Sequence, residues 1–205
     1  MFINMVNINN YTGHRMRINT IPGIFGSDKN HWQTHWENSY GFCRIEQANW
    51  SFPVFQVWKD YLIDQIEKYS EPKSHILVAH SMGCLLTAKS IHTIEQYVKG
   101  IFLVAPPDLK SNGLLSQLNT FDNLPLHKLS IPGYLVYSEN DPYATPEFSE
   151  RLGRIWGLTT INVGQRGHIN SDSNLGDWDE GYALFEEFMG KIDCSRVEKH
   201  QHQFS

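Results

Sequence analysis

The chain has 205 residues, of which 40% are hydrophobic and 19% are charged, a composition typical of one globular domain with a sizeable core. Its formal net charge is −5 and no cluster of Lys or Arg stands out, which argues against a nucleic-acid-binding protein. No apolar stretch reaches the roughly 18 residues that can span a membrane. We therefore expect neither nucleic acid nor a membrane among its partners.

The three cysteines, Cys43, Cys84 and Cys194, are scattered along the chain and do not predict a disulfide framework. Residues 1–16 are polar and rich in Asn, without the apolar centre of a signal peptide. These two features favour a reducing, cytoplasmic location. We expect a flexible leader over 1–16, one domain over 17–190 and a polar tail over 191–205. No pattern predicts an oligomeric state.

Apolar patterns typical of strands and helices alternate along the chain. The predicted strands cover residues 17–21, 43–47, 76–79, 100–105, 133–138 and 159–163. The predicted helices cover residues 31–37, 55–69, 82–97, 145–157 and 178–189. The segment 108–130, rich in Leu, Asn and Ser, is expected to be irregular.

Several of the predicted strands are continuous apolar runs, as expected for a sheet whose two faces are both covered by helices. The alternation therefore predicts an α/β protein, a three-layer α/β/α sandwich with a mostly or fully parallel sheet. In such sheets, ligands and catalytic groups gather at the carboxyl ends of the strands.

Ser81 lies where a buried strand meets a helix, in the sequence Ala-His-Ser-Met-Gly over residues 79–83. This context is typical of a nucleophile elbow, G-x-S-x-G, in which a tight turn exposes the hydroxyl of the Ser. Ala79 replaces the first Gly of that pattern, and Gly83 keeps the second. A surface Ser in an ordinary loop is the alternative interpretation, because short motifs also match by chance.

A Ser hydroxyl needs a base to take its proton and an acid to orient that base. Asp141 follows the strand over 133–138 and His168 follows the strand over 159–163, so both lie at carboxyl ends of strands, as Ser81 does. The order Ser, Asp, His is that of α/β-hydrolases. We therefore predict a triad of Ser81, Asp141 and His168. Glu139 is the nearest rival acid.

The developing oxyanion needs two backbone N–H donors. The first should come from Met82, directly after the nucleophile, and the second from the loop after the first strand, where we expect Ile24. A simple tight turn is the alternative for that loop.

His31 and Trp32 follow this loop, and His80 precedes Ser81, so we expect these three residues to line the pocket. His31 and His35 lie four residues apart, as in the zinc motif H-E-x-x-H, but Trp32 replaces the Glu and no third ligand is evident. We therefore predict no metal site and no cofactor. Cys84 is expected to be a small core residue.

With these residues in view, the chain resembles the small α/β-hydrolase-fold serine hydrolases of the YdeN type, relatives of the human retinoblastoma-binding serine hydrolase. The resemblance extends from about residue 17 to about residue 189. The matching segments are 22–23, 31–33, 49–50 with Trp58, 78–84, 104–108, 141–143, 167–170 and 176–181. It implies a compact α/β-hydrolase fold without a large cap domain, and the same assignment of Ser81, Asp141 and His168.

The predicted function is that of a serine hydrolase that cleaves a small ester, or an amide or thioester, through an acyl-enzyme. The irregular segment 108–130 is the one place for a lid, so we expect a shallow pocket for short acyl groups. Two alternatives stay open: a catalytically idle binding module on a hydrolase scaffold, and an acyltransferase.

Overall fold

The computed structural model describes residues 16–69, 71–110 and 116–201, with the side chains of residues 116 and 117 and of those from 194 onward excepted. The leader predicted for 1–16 lies outside these residues, apart from residue 16.

Six strands form one parallel sheet in the order β2-β1-β3-β4-β5-β6. In chain order, the strands are β1 (Arg17–Ile21), β2 (Cys43–Arg44), β3 (His75–His80), β4 (Val98–Val104), β5 (Gly133–Tyr137) and β6 (Thr159–Asn162). β3 and β4 lie at the centre and are almost wholly buried. Their apolar runs therefore reflect burial of both faces of the sheet, as predicted.

In the part of the chain that the structure describes, five α-helices cover the sheet. They are α1 (Trp32–Tyr40), α2 (Phe55–Glu67), α3 (Met82–Ile94), α4 (Pro146–Trp156) and α5 (Asp179–Gln201). Two short 3-10 helices, Ser116–Phe121 and Ser171–Ser173, lie in the connections.

Alternating residues of the central strands point into two separate cores, one on each face of the sheet. On one face, Leu77 and Leu103 pack with apolar residues of α2, α3 and α4. On the other, Val78 and Phe102 pack with residues of α1 and α5. This is a three-layer α/β/α sandwich, and the predicted fold class is confirmed.

Two elements differ from the sequence prediction. β2 covers Cys43 and Arg44 instead of 43–47, because its partner strand β1 ends at Ile21 and the next residue, Pro22, has no N–H to continue the ladder. The last helix runs on to Gln201, so much of the segment predicted as a polar tail is helical. Ile192 explains the first turn beyond the predicted end at residue 189, because it is 6% exposed and packs in the same core as Phe188.

Within the described ranges, every helix is too short or too polar to cross the hydrocarbon core of a bilayer.

Candidate active site

Ser81 connects β3 to α3 in a strained turn. Its backbone has φ 52° and ψ −124°, a region that L-residues rarely adopt and that costs on the order of 1–3 kcal/mol. The turn is held at both ends, because the N–H of Ser81 donates to the carbonyl of Val104 at 2.9 Å, and its own carbonyl accepts from the N–H of Cys84 at 2.9 Å. This is the geometry of a nucleophile elbow.

Two glycines allow the chain to approach Ser81 closely. A Cβ atom at Gly83 would lie 2.1 Å from the carbonyl oxygen of Ile21, so α3 crosses the end of β1 with no room for a side chain. A Cβ atom at Gly23 would lie 2.8 Å from the Cβ of Ser81. The loop after β1 therefore passes directly beside Ser81.

The structure brings Ser81, His168 and Asp141 together at the carboxyl ends of three strands. Nε2 of His168 lies 2.8 Å from Oγ of Ser81. Nδ1 of the same ring lies 2.9 Å and 3.0 Å from the two carboxylate oxygens of Asp141. Because carboxylate oxygens accept hydrogen bonds, Nδ1 carries the hydrogen and Nε2 presents its lone pair to the hydroxyl.

Most of this hydrogen-bonded set is shielded from solvent. The side chains of His168 and Asp141 are 8% and 4% exposed, and Ser81 as a residue is 6% exposed. Oδ1 of Asp141 also accepts from the backbone N–H of Tyr143 at 2.9 Å, which fixes the carboxylate on its own turn. Glu139, the rival acid, instead accepts from Nδ2 of Asn162.

Of the two residues predicted to stabilise an oxyanion, Met82 directly follows Ser81 in the chain and Ile24 lies in the loop that passes beside Ser81. Met82 is the first residue of α3, where the helix dipole adds positive potential. Ile24 directly follows Gly23, the position where an added Cβ atom would lie 3.2 Å from Oγ of Ser81.

The three pocket candidates are all buried. His31, Trp32 and His80 are 3%, 1% and 4% exposed, and none of them lines the open cleft of about 420 Å³ beside His168. Tyr143 does line that cleft, and its ring meets the imidazole of His168 edge-on at 4.7 Å.

His31 and His35, the pair with zinc-motif spacing, each contact a group other than a metal ion. His31 caps the helix, and its Nδ1 accepts from the N–H of Gln33 at 3.1 Å. Nδ1 of His35 lies 2.7 Å from a carboxylate oxygen of Asp177. Among the described side chains, no group of three or more His, Cys, Asp or Glu residues is placed to hold a metal ion.

Cys84 is a buried core residue, as predicted. Its Sγ lies 3.4 Å from the carbonyl oxygen of Ala79 and 3.2 Å from that of Val104, so the single S–H has two acceptors within reach. Burial raises the pKa of this thiol well above its ordinary value, so Cys84 is a poor nucleophile.

Sequence reasoning missed the side chains that join the loops of Asp141 and His168. Ser138 accepts from the N–H of Arg166, and Asn140 accepts from the N–H of Gly167, each at 2.8 Å. Their position after β5 was the available signal, because short polar side chains at strand ends often bond to backbone groups.

The profile of the serine hydrolase family matches residues 18–187. The chain belongs to this family. A search of the curated proteins finds no significant match.

Among solved structures, a YdeN-like hydrolase from Pectobacterium atrosepticum is 26% identical to the chain, with a TM-score of 0.76, and the match covers 87% of this chain and 92% of that one. The ydeN product of Bacillus subtilis is 20% identical, with a TM-score of 0.70 over 85% and 99% of the two chains. The carboxylesterase CesB of the same organism is 12% identical, with a TM-score of 0.59 over 85% and 84%. The last two likenesses show the fold alone. The resemblance to the YdeN type is confirmed, and the protein is a hydrolase.

Proposed function

We propose that the protein hydrolyses a carboxylic ester with a small acyl group, and that Ser81 is the nucleophile, His168 the general base and Asp141 the orienting acid. The observation that carries this proposal is the unbroken chain of hydrogen bonds from Ser81 to Asp141, 2.8 Å at Nε2 and 2.9 Å at Nδ1 of His168. A base that is oriented and hydrogen-bonded in this way is what a Ser hydroxyl needs to become nucleophilic.

The reaction proceeds in two halves. His168 takes the proton of Ser81 as its Oγ attacks the acyl carbonyl, and the N–H groups of Met82 and Ile24 stabilise the resulting oxyanion. The imidazolium, held by Asp141, gives the proton to the departing alcohol and leaves an acyl-enzyme. His168 then takes a proton from water as the water oxygen attacks the acyl-enzyme ester. His168 returns this proton to Oγ of Ser81, which releases the carboxylic acid and restores the enzyme.

The packing of the segment between β4 and β5 supports a small acyl group. Its 3-10 helix, Ser116–Phe121, is anchored against α2, because Phe121 is fully buried and meets Trp58 and Phe55 edge-on at 5.7 Å and 5.5 Å. The part of this segment that the structure describes therefore packs against α2 as part of the same helical layer. A long acyl chain gains most of its affinity from apolar area that it buries, so we expect short acyl groups.

The test is labelling of the folded protein with a fluorophosphonate, which reacts with activated serines. We expect wild type to label, and both Ser81→Ala and His168→Ala to lose labelling while keeping the circular dichroism of the wild type. A series of p-nitrophenyl esters from acetyl to dodecanoyl then measures the acyl preference. Absence of labelling in folded wild type would support an idle binding module instead, and a preference for dodecanoyl esters would overturn the small acyl group.

Hydrolysis and acyl transfer share the acyl-enzyme and differ in the second nucleophile. Products formed with an added alcohol or amine distinguish them, because a transferase yields the new ester or amide at low acceptor concentration. We also propose a cytoplasmic location, which is supported by the unpaired thiols of Cys43 and Cys84.

A further inference from the structure

The loop that carries His168 is strained on both sides of that residue. Gly167 has φ 59° and Ile169 has φ 50°. A β-branched residue such as Ile with positive φ is a genuine outlier. Conformations of this kind persist only where the surrounding structure holds them. The orientation of the His168 ring therefore depends on what holds the backbone of residues 167–169.

Two buried side chains donate hydrogen bonds to the carbonyls of this loop. Nε2 of His80 lies 2.9 Å from the carbonyl oxygen of His168, and Nε1 of Trp32 lies 2.8 Å from the carbonyl oxygen of Ile169. Because a carbonyl oxygen only accepts, Nε2 of His80 carries the hydrogen. The indole N–H is always a donor.

Each donor is itself fixed in position. His80 ends β3, the central strand that leads directly into Ser81. Its ring packs against those of His31 at 4.7 Å and His168 at 5.0 Å. Trp32 begins α1 and packs edge-on against Trp36 and Trp178 at 4.6 Å and 5.1 Å. Both donors are at least nine-tenths buried, so water cannot replace them.

We propose that His80 and Trp32 are positioning residues for the reaction, and that they act by clamping the two carbonyls that hold the imidazole of His168 against Ser81. The inference rests on the proposed function, because it assigns to the two donors the placement of the general base. His80 links the nucleophile and the base directly. It ends the strand that leads into Ser81, and its ring donates a hydrogen bond to the backbone carbonyl of His168.

Removal of the His80 donor leaves a buried carbonyl without a partner, and the strained loop can then relax. A displacement of about 1 Å between reacting groups costs on the order of a hundredfold in rate. We expect the effect to fall on kcat, because the side chains of His80 and Trp32 are buried and do not reach a bound substrate.

The first experiment compares His80→Leu with His80→Gln. Leu fills the site without a donor, whereas the amide of Gln can place an N–H near the position of Nε2. We expect His80→Leu to lower kcat and the rate of fluorophosphonate labelling by on the order of 10- to 100-fold, with KM within about twofold. We expect His80→Gln to recover most of that loss.

His75 offers a matched control on the same strand. It is fully buried, and its ring nitrogens lie 2.8 Å from Oδ1 of Asn19 and 3.0 Å from the carbonyl of Tyr69. We expect His75→Leu to lower the melting temperature and leave the labelling rate of the folded protein unchanged. Equal loss of labelling in His75→Leu and His80→Leu would assign the effect to stability and overturn the clamp.

Trp32→Phe tests the second donor, because it removes the indole N–H and keeps an aromatic ring. We expect it also to lower kcat more than it raises KM.

A measurement on wild type does not depend on the folding of any variant: nitrogen-15 NMR of the histidines should show His80 as the neutral Nε2–H form. An Nδ1–H form, or normal labelling of folded His80→Leu, would overturn the inference. Wild type that does not label would instead overturn the proposed function.

Discussion

The side chain of Asn140 accepts a hydrogen bond from the backbone N–H of Gly167, 2.8 Å away, and so joins the loop of Asp141 to the loop of His168. The same Oδ1 atom accepts from the hydroxyl of Ser138 at 2.9 Å. The distance between the acid and the base is therefore set by a side chain next to the acid and by a backbone group next to the base.

Asn140→Ala should lower activity more than it lowers stability. It removes one acceptor of an exposed loop, which costs about 1 kcal/mol in the free energy of unfolding, but it frees the His168 loop to shift. We expect kcat/KM for a short ester to fall on the order of tenfold. Asn140→Asp keeps an acceptor oxygen at the same place and should recover much of the loss. Equal activity of Asn140→Ala and wild type would show that the other contacts hold the loop without Asn140.

Gly83→Ala should prevent the close crossing of α3 and β1. The added Cβ would lie 2.1 Å from the carbonyl oxygen of Ile21 and 2.8 Å from that of Pro22. Both neighbours are backbone atoms beside the loop of Ile24, so they cannot yield without moving that loop. We expect a loss on the order of 3 kcal/mol in the free energy of unfolding, measured by urea denaturation.

Gly190→Ala is the matched control for this steric argument. Gly190 also lies in a helix, but a Cβ atom there would meet nothing within 4 Å. Because Ala is a better helix former than Gly, this variant should gain roughly 0.5–1 kcal/mol. A similar loss in both variants would contradict the account of the crossing.

The sequence was sufficient to predict which residues meet at the candidate active site, for a physical reason. In a parallel sheet, the carboxyl ends of all strands lie on one edge, so residues after β3, β5 and β6 are neighbours even though they are far apart in the chain. Ser81 directly follows β3, and Asp141 and His168 lie in the loops that follow β5 and β6. Their meeting therefore depends on topology and needs no knowledge of side-chain packing.

The environment of the predicted pocket residues could not be predicted in this way. Trp32 is buried because α1 packs against Trp178, at the other end of the chain. His80 is buried because the carbonyl of His168 and the ring of His31 cover it. The contacts of His80 with His168 and of Trp32 with Trp178 join segments more than 80 residues apart. Nothing in the local pattern distinguishes a covered His from one that lines a cleft.

The buried His31 should make the fold sensitive to mild acid. Burial lowers the pKa of His31 from 6.5 to about 3, so between these values the unfolded chain binds a proton that the folded one excludes. Stability is therefore fully present above about pH 6.5 and is lost as the pH falls toward 3, by up to about 1.4 kcal/mol per pH unit for this group. Protonation would also end the acceptance of the Gln33 N–H by Nδ1.

His31→Asn tests this dependence, because Asn is a good N-cap and carries no charge. The cavity left by the ring lowers stability at pH 7.5, so the readout is the slope of the free energy of unfolding against pH from 6.5 to 4.5. We expect the slope of the variant to be shallower than that of wild type by up to about 1.4 kcal/mol per pH unit. Identical slopes would mean that the ring of His31 is protonated within the folded protein.

Thiol chemistry should distinguish the serine at the elbow from the cysteine three residues later. Cys43 is exposed and Cys84 is buried, and burial raises the pKa of the Cys84 thiol. Because the thiolate is the reactive form, iodoacetamide at neutral pH should alkylate Cys43 in the native protein and leave Cys84 unmodified.

Peptide mapping by mass spectrometry identifies the alkylated cysteine, and an ester assay on the same sample measures the activity. We expect full activity after Cys43 is modified, and full activity in Cys84→Ala once its folding is verified. Loss of activity in proportion to alkylation of Cys84 would point to a cysteine nucleophile and contradict the role of Ser81.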